Sequence, residues 1–229
     1  MRPALYAIPT PLGGAPADAL PAPALRIVQS LRDFAVENAR SARAFLGAVG
    51  MPCSLRELNI ATLDREVSPL LAPLRQGRSL GLLSESGCPA IADPGAALVE
   101  AAHAAGLRVV PLVGPSAIVL ALMASGLEGQ RFAFCGYLPR DAAARNRKIR
   151  ELERRSRRER ETEIFIETPY RNDALAAALL EVCAPQTRLC LASDLTARGE
   201  SIESRTILGW RKSVPQPGKR PTVFLLQGA

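Results

Sequence analysis

The chain predicts an α/β fold, and three observations carry that prediction. Short runs rich in Val, Ile, Leu or Ala alternate with longer helix-like stretches, three of the apolar runs lead straight into Gly- and Pro-rich turns, and 48% of the 229 residues are hydrophobic. That is enough to bury a sizeable core in one large domain or two small ones. The turns read IPTPLGG (Ile8 to Gly14), SESGCPAIADPG (Ser84 to Gly95) and PLVGPSA (Pro111 to Ala117). Open α/β sheets bind ligands at the carboxyl ends of their strands, so a small-molecule site is the first functional inference.

The apolar runs place strands at Ala4–Ile8, Asp33–Val36, Ser79–Leu83 and Leu107–Leu112. Helices are expected at Ala24–Leu31, Ser41–Val49, Asp64–Gln76 and Ala96–Ala105. Beyond Pro115 the alternation restarts with an Ala/Leu-rich helix, Ser116–Ser125. Strands follow at Arg131–Cys135, Glu163–Glu167, Arg188–Ala192 and Thr222–Gln227. Two α/β lobes, residues 1–113 and 114–229, fit this order. No fixed-period repeat stands out, and no segment approaches the roughly 18 to 20 apolar residues of a membrane span. A cytoplasmic protein with no membrane partner is expected.

The turns have a physical task. Gly13, Gly14, Gly87, Gly95 and Gly114 can take positive φ or let another molecule lie on bare backbone, while Pro9, Pro11, Pro89, Pro94 and Pro115 stiffen the loops. One such turn is ordinary punctuation; three at strand ends suit a ligand gripped by main-chain groups. No GxGxxG follows the first strand and no GxxxxGK[ST] occurs, so neither the usual dinucleotide site nor an NTPase is supported. Five cysteines without a CxxC pair, and a single histidine, His103, make a poor zinc set. No metal is expected, and the thiols read as reduced and mostly buried.

Taken in order, PTPLGG (Pro9 to Gly14), SESGCPAIADPG, VVPLVGPSA (Val109 to Ala117), GYLPR (Gly136 to Arg140), ETPYR (Glu167 to Arg171) and SDLT (Ser193 to Thr196) resemble a family's motifs. They look like PTPIGN, SDAGTPxISDPG, VVPLPGPSA, GFLPR, ESPHR and RELT of the S-adenosylmethionine-dependent tetrapyrrole (corrin/porphyrin) methylase superfamily. The closest resemblance is to the branch that methylates a cytidine ribose 2′-hydroxyl in small-subunit ribosomal RNA, and it covers nearly the whole chain. It implies two αβα lobes with S-adenosylmethionine in the cleft between them, and a homodimer. It also implies cofactor contacts at Pro11, Gly87, Cys88, Ile91, Ser116, Ala117, Glu167, Leu195 and Thr222.

The departures are specific. VENAR (Val36 to Arg40) stands for AEDTR, so Asn38 replaces a carboxylate and Ala39 a hydroxyl. Glu85 and Cys88 stand for Asp and Thr, and Ser193-Asp194 replaces Arg-Glu. The cofactor loops keep the pattern better than the substrate side does.

Charge is the second line of argument. The chain carries +7 overall, and Arg140 to Arg160 alone holds ten cations against four acids, a net +6. This segment lacks Gly and Pro and allows i,i+4 pairs, Arg147 with Glu151 and Glu153 with Arg157, so a helix is expected. Arg147, Arg150, Arg154 and Arg158 then share one face, with Ile149 and Leu152 on another. A cationic stripe without aromatics suits the backbone of RNA, and Arg140 and Arg171 join the candidate RNA contacts. A solvated, internally paired helix is the competing reading.

Methyl transfer from a sulfonium is an in-line displacement, so alignment and exclusion of water should dominate. A ribose hydroxyl holds its proton tightly and benefits from a base. Glu37, Glu85 and Glu167 are candidates; Glu37 ranks first because it keeps the carboxylate of the altered AEDTR motif, with Arg40 to orient it or hold a phosphate. Structural ion pairing competes with each assignment. Two other functions stay open: methylation of a tetrapyrrole precursor or another small anion, with the arginines serving carboxylates, and a non-catalytic RNA-binding relative.

Overall fold

The computed structural model describes residues 2–63 and 66–229, which form two units, Met1–Ser116 and Ala117–Ala229. In the first, the elements are β1 (Leu5–Ile8), α1 (Pro16–Ala19), α2 (Ala22–Ser30), β2 (Asp33–Val36), α3 (Ala39–Val49), β3 (Asn59–Thr62), α4 (Ala72–Arg75), β4 (Leu80–Leu83), α5 (Ala96–Ala104) and β5 (Val109–Pro111). The strands form one all-parallel sheet, ordered β3-β2-β4-β1-β5.

A parallel sheet covered on both faces needs strands that are apolar on both sides, which is why β2 reads DFAV and β4 reads LGLL with every residue buried. One face carries Tyr6, Ile8, Phe34, Val36 and Leu83 against α2 and α3; the other carries Leu5, Ala35, Leu80 and Leu82 against α4 and α5. Gly81 is where the Phe34 ring crosses its neighbour strand. A Cβ there would stand 2.7 Å from Phe34 Cδ1 and 2.8 Å from Ile8 Cδ1, closer than packed atoms tolerate. The buried Asp33 at the start of β2 is held by Arg78 (Nε to Oδ2, 3.0 Å) and Asn59 (Nδ2 to Oδ1, 3.0 Å).

The second unit comprises α6 (Ala117–Ser125), β6 (Phe132–Tyr137), α7 (Ala142–Glu159), β7 (Thr162–Ile166), α8 (Asn172–Val182), β8 (Arg188–Ser193), β9 (Ser201–Thr206), α9 (Ile207–Lys212) and β10 (Thr222–Gln227). Its sheet is mixed, ordered β6-β7-β10-β8-β9, with β6 and β7 parallel and the other pairs antiparallel. Phe165, Phe224, Leu189 and Leu191 pack on α7, α8 and α9, with Phe165 and Phe224 stacked at 6.0 Å. On the opposite face, α6 lies over β8, β9 and β10.

Several expectations change. Asp64 and Arg65, the first residues of the helix expected at Asp64–Gln76, lie outside the described residues. Over the rest, a 3-10 turn at Ser68–Leu71 runs into the short α4, because Pro69 and Pro73 withdraw two backbone donors. The arginine-rich helix forms as α7, but with other partners. Glu151 bonds Lys148 at 2.7 Å rather than Arg147. Glu153 turns inward, accepting from Ala184 N at 2.7 Å and from the Thr187 hydroxyl, so it does not pair with Arg157. Strands β3 and β9, and helices α1, α8 and α9, add to the elements expected from the sequence. All five cysteines are free, with Cys183 and Cys190 buried and the other three half-buried. Among the described residues no helix is long and apolar enough to cross a membrane.

Candidate functional site

The three glycine-proline turns meet at the carboxyl edge of the first unit's sheet. Thr10 N donates to Gly87 O at 2.9 Å and Gly87 N returns a bond to Thr10 O at 3.1 Å, which ties the first loop to the second. The Cys88 thiol donates to Pro115 O at 3.3 Å, tying the second to the third. Gly114 lies so close to the first loop that a Cβ would stand 2.4 Å from Pro9 Cβ. Gly87 has φ +76° with Leu12 Cδ2 and Pro115 O beside it, a position open only to glycine.

The second loop is held in an unusual shape. Ala90, Ala92 and Gly95 all take positive φ (66°, 64° and 129°), and the two alanines adopt a conformation that costs a residue with a Cβ about 1 kcal/mol or more. This twist brings Asp93 back toward the strand ends, where Glu37 follows β2 and Glu85 follows β4. Glu37 Oε2 accepts from Glu85 N at 3.1 Å. The Asp93 carboxyl titrates above the usual carboxylate range, first because it is partly buried and then because Glu37 and Glu85 are negative. Asp93 was not among the residues singled out in the sequence, although it lies in the ADPG stretch of the second turn.

Of the residues expected at a cofactor, Pro11 and Cys88 are half-buried, Gly87 is buried, Ser116 is half-buried at the end of the third loop and Ile91 is 50% exposed. Burial raises the Cys88 thiol above its ordinary value, so it stays protonated and serves as a donor. The buried Thr10 hydroxyl has no hydrogen-bond partner among the described residues. An orphaned donor beside bare glycine backbone fits a polar ligand gripped by main-chain groups, as the loops predict.

The altered VENAR motif has a structural account. Asn38 caps α3, its Oδ1 accepting from Arg40 N (2.8 Å) and Ser41 N (3.4 Å). Asparagine caps a helix as well as aspartate does, so the missing carboxylate leaves the helix start intact. Ala39 packs against the core that holds Phe45 and Leu46. Arg40 is exposed in the first turn of α3, with no acidic partner among the described residues.

In the second unit, Ala117 opens α6, half-buried, and the remaining candidates gather at one edge of the sheet. Tyr137 pairs with Ile166, Val223 with Ile166 and Thr222 with Ser193, so the ends of β6, β7 and β8 and the start of β10 lie in one row. Glu167 and Arg171 are joined in an ion pair, with the carboxylate almost fully buried. Leu195 is buried, and Thr222 shares a 2.8 Å hydrogen bond with Ser193. Ser193, where the resembled motif has arginine, lines a cavity of about 230 Å³ with Arg205, Trp210 and Arg220. Arg220 stands 3.7 Å from Asp194, so a cation remains beside this turn.

Along α7, Arg147, Arg150, Arg154 and Arg158 are exposed, as is Arg140 just before the helix. Arg158 bonds Glu159 at 2.7 Å, while Arg147, Arg150 and Arg154 make no direct ion pair among the described residues, Arg154 only lying near Glu151. Arg155 does the internal work, pairing with Glu161 at 3.0 Å and with the fully buried Glu163. The Cys135 thiol beside that pair is pushed up to about 11, by burial and then by Glu163.

Two outcomes follow from this geometry. Asn38→Ala should lower stability by about 0.5 to 2 kcal/mol in urea unfolding while Asn38→Asp stays near wild type; an alanine variant with an unchanged midpoint would refute the cap. Asp93 binds its proton more tightly folded than unfolded, so its contribution is complete at low pH and is lost as pH rises through its folded value. Asp93→Asn should therefore melt above wild type at pH 7, with the gap closing below about pH 4, where both states hold the proton. A gap that instead widens toward acid pH contradicts the assignment.

Comparison with known proteins agrees with this architecture. No family model matches the chain. The ribosomal RNA small subunit methyltransferase I of Escherichia coli O157:H7 is 33% identical over 98% of this chain and 77% of its own length. That of Vibrio cholerae serotype O1 is also 33% identical, over 99% of this chain and 77% of its own. Among solved structures, the methyltransferase CobJ superposes with a TM-score of 0.66 at 18% identity, covering 99% of this chain and 95% of that one. The cobalt precorrin-4 methyltransferase CbiF gives 0.61 at 13%, covering 98% and 94%. At those identities the structures speak to the fold, which is that of the tetrapyrrole methyltransferases. With a third of its residues shared over nearly its whole length, the chain belongs to the ribosomal RNA small subunit methyltransferase I family.

Proposed function

We propose that this protein is an S-adenosylmethionine-dependent methyltransferase that modifies small-subunit ribosomal RNA at a ribose 2′-hydroxyl. The observation that carries the reading is the meeting of three rigid turns at the carboxyl edge of an all-parallel sheet, in a chain of this family. When bound, S-adenosylmethionine supplies an electrophilic methyl group on a sulfonium. Pro11, Gly87, Cys88, Ile91 and Ser116 would hold it, largely through main-chain atoms.

The chain's own chemistry is positional. Glu37 Oε2 is occupied by Glu85 N, which fixes the carboxylate and leaves Oε1 to accept the proton of the acceptor hydroxyl. Asp93, on the twisted second loop, adds another carboxylate to this edge of the site. Arg40 is free to hold a phosphate of the substrate. Arg140, Arg147, Arg150 and Arg154 offer exposed charge to the RNA backbone; Arg158 and Arg171 contribute from ion pairs they already make. The free thiols suit a cytoplasmic protein. A homodimer is supported by Val119 and Met123, exposed one helical turn apart on α6, Met123 at 75%.

Labelled methyl should pass from S-adenosylmethionine to stripped small subunits or their RNA, and nuclease digestion should return it on a ribose. No transfer to either substrate would overturn the reading. The double variant Arg150→Glu/Arg154→Glu should bind RNA more weakly at ~0.15 M salt. The log-log salt dependence should become shallower by roughly 0.7 to 0.9 for each phosphate that the variant no longer neutralises, with S-adenosylmethionine binding unchanged. Sedimentation equilibrium should give a dimer, and Met123→Asp a monomer; a wild-type monomer at micromolar concentration removes that part of the proposal.

A further inference from the structure

We propose that Tyr170 is a stacking platform for a nucleobase of the RNA, with Lys219 placed to meet the adjoining phosphate. The inference rests on the RNA-methyltransferase reading above for its substrate class. Tyr170 is 81% exposed, and the residues on either side of it are hydrogen-bonded. It sits in the 3-10 turn Pro169–Arg171 that follows β7. Pro169 limits the turn from one side. From the other, Arg171 and the Thr168 N–H both bond the buried Glu167 carboxylate.

Lys219 is held over the ring by a second set of bonds. Asn172, fully buried, donates from Nδ2 to Gly218 O at 3.1 Å and to Arg220 O at 2.7 Å, while Gly218 N donates to Asp173 Oδ1 at 2.8 Å. The segment that carries Lys219 is thereby sewn to the start of α8, and Nζ stands 5.2 Å from the Tyr170 ring centroid. Lone exposed apolar side chains are common and need no account. An aromatic ring on a turn whose backbone is tied down, with an ammonium set over it, is a different object, because part of the entropy of ordering a contact surface has been met during folding. Every nucleobase presents a π-face to such a ring, and each is followed by a phosphate that an ammonium attracts.

The place in the fold favours RNA over a protein partner. β6 and β7 end together, so Arg140 and the first turn of the arginine helix leave the same sheet edge as Tyr170. A chain of phosphates tracking α7 would therefore begin at the platform. The α7 segment has no aromatic of its own, so Tyr170 supplies the stacking that it lacks.

The test uses the full chain carrying Tyr170→Trp. The one native tryptophan, Trp210, is buried and donates its indole N–H to Leu189 O at 2.8 Å, and wild-type emission titrated in parallel supplies the background to subtract. Protein-free small-subunit ribosomal RNA should quench the added emission, and heparin, which has the charge without the bases, should not. Tyr170→Ala should raise the KM for RNA roughly 5- to 100-fold with kcat and calorimetric S-adenosylmethionine binding unchanged, while Tyr170→Phe stays near wild type. Equal quenching by heparin, no quenching by RNA, or a Tyr170→Ala KM within about twofold of wild type would overturn the proposal. Quenching by intact small subunits but not by protein-free RNA would assign Tyr170 to a protein contact and equally overturn it. If the wild-type chain transfers no methyl group, the catalytic reading fails, and the fluorescence still decides the stacking.

Discussion

The paired hydrogen bonds between Thr10 and Gly87 set the geometry on which the first unit's strand ends depend. They join the exits of β1 and β4, neighbours in the sheet, so the first two turns cannot splay apart. Once they are joined, the third turn has one place to go. It passes between Pro9 and Leu20, where only a glycine at 114 leaves room, and receives the Cys88 thiol on Pro115 O. The bridge also explains why proline and glycine dominate these turns together: proline reduces the number of loop shapes, and glycine allows the backbones to touch.

That constraint has an energetic counterpart. Ala90 and Ala92 sit at positive φ, and Thr10 keeps a buried hydroxyl without a partner among the described residues. Both features oppose folding, by roughly 1 kcal/mol or more each, and neither improves the packing of the core. They are tolerable because the sheet beneath is buried on both faces and fixes the loop ends. The twist at Ala90 and Ala92 is the stretch of loop that leads to Asp93, which lies near Glu37 and Glu85.

Much of this was legible in the sequence, for reasons that also mark where legibility ended. Asp33–Val36 and Thr222–Gln227 match the expected strands because central strands are apolar on both faces. β3 and β9 were not read because each is an edge strand, NIAT with three of four residues exposed and SIESRT with five polar residues of six, and neither has the alternation of a half-buried strand. Helix α8 was within reach, since Leu175 and Leu179 recur at a helical interval. The three turns were visible as motifs, and the resemblance implied that they share one cofactor; the bonds that join them were not legible, because those depend on the strand order β4-β1-β5. Asp93 and Lys219 escaped for the same reason: their neighbours come from distant segments.

The loops at the strand ends of the two units handle charge in opposite ways, and the difference bears on which substitutions each can absorb. In the first unit, the capping bond of Asn38 and the thiol bond of Cys88 each have a main-chain atom on one side, so exchanges such as Asp to Asn38 or Thr to Cys88 keep the capping and donor roles that matter locally. In the second, side chains carry the load. Glu163 and Glu167 are buried and each needs its arginine, since a carboxylate left alone in the interior costs several kcal/mol. Arg155 is thereby committed to the fold and Glu153 to the turn at Ala184, while Arg171 is held in place beside Glu167 with its side chain partly exposed. Arg147, Arg150 and Arg154 have no such obligation, and because they are exposed and make no direct ion pair among the described residues their charge is not consumed by folding.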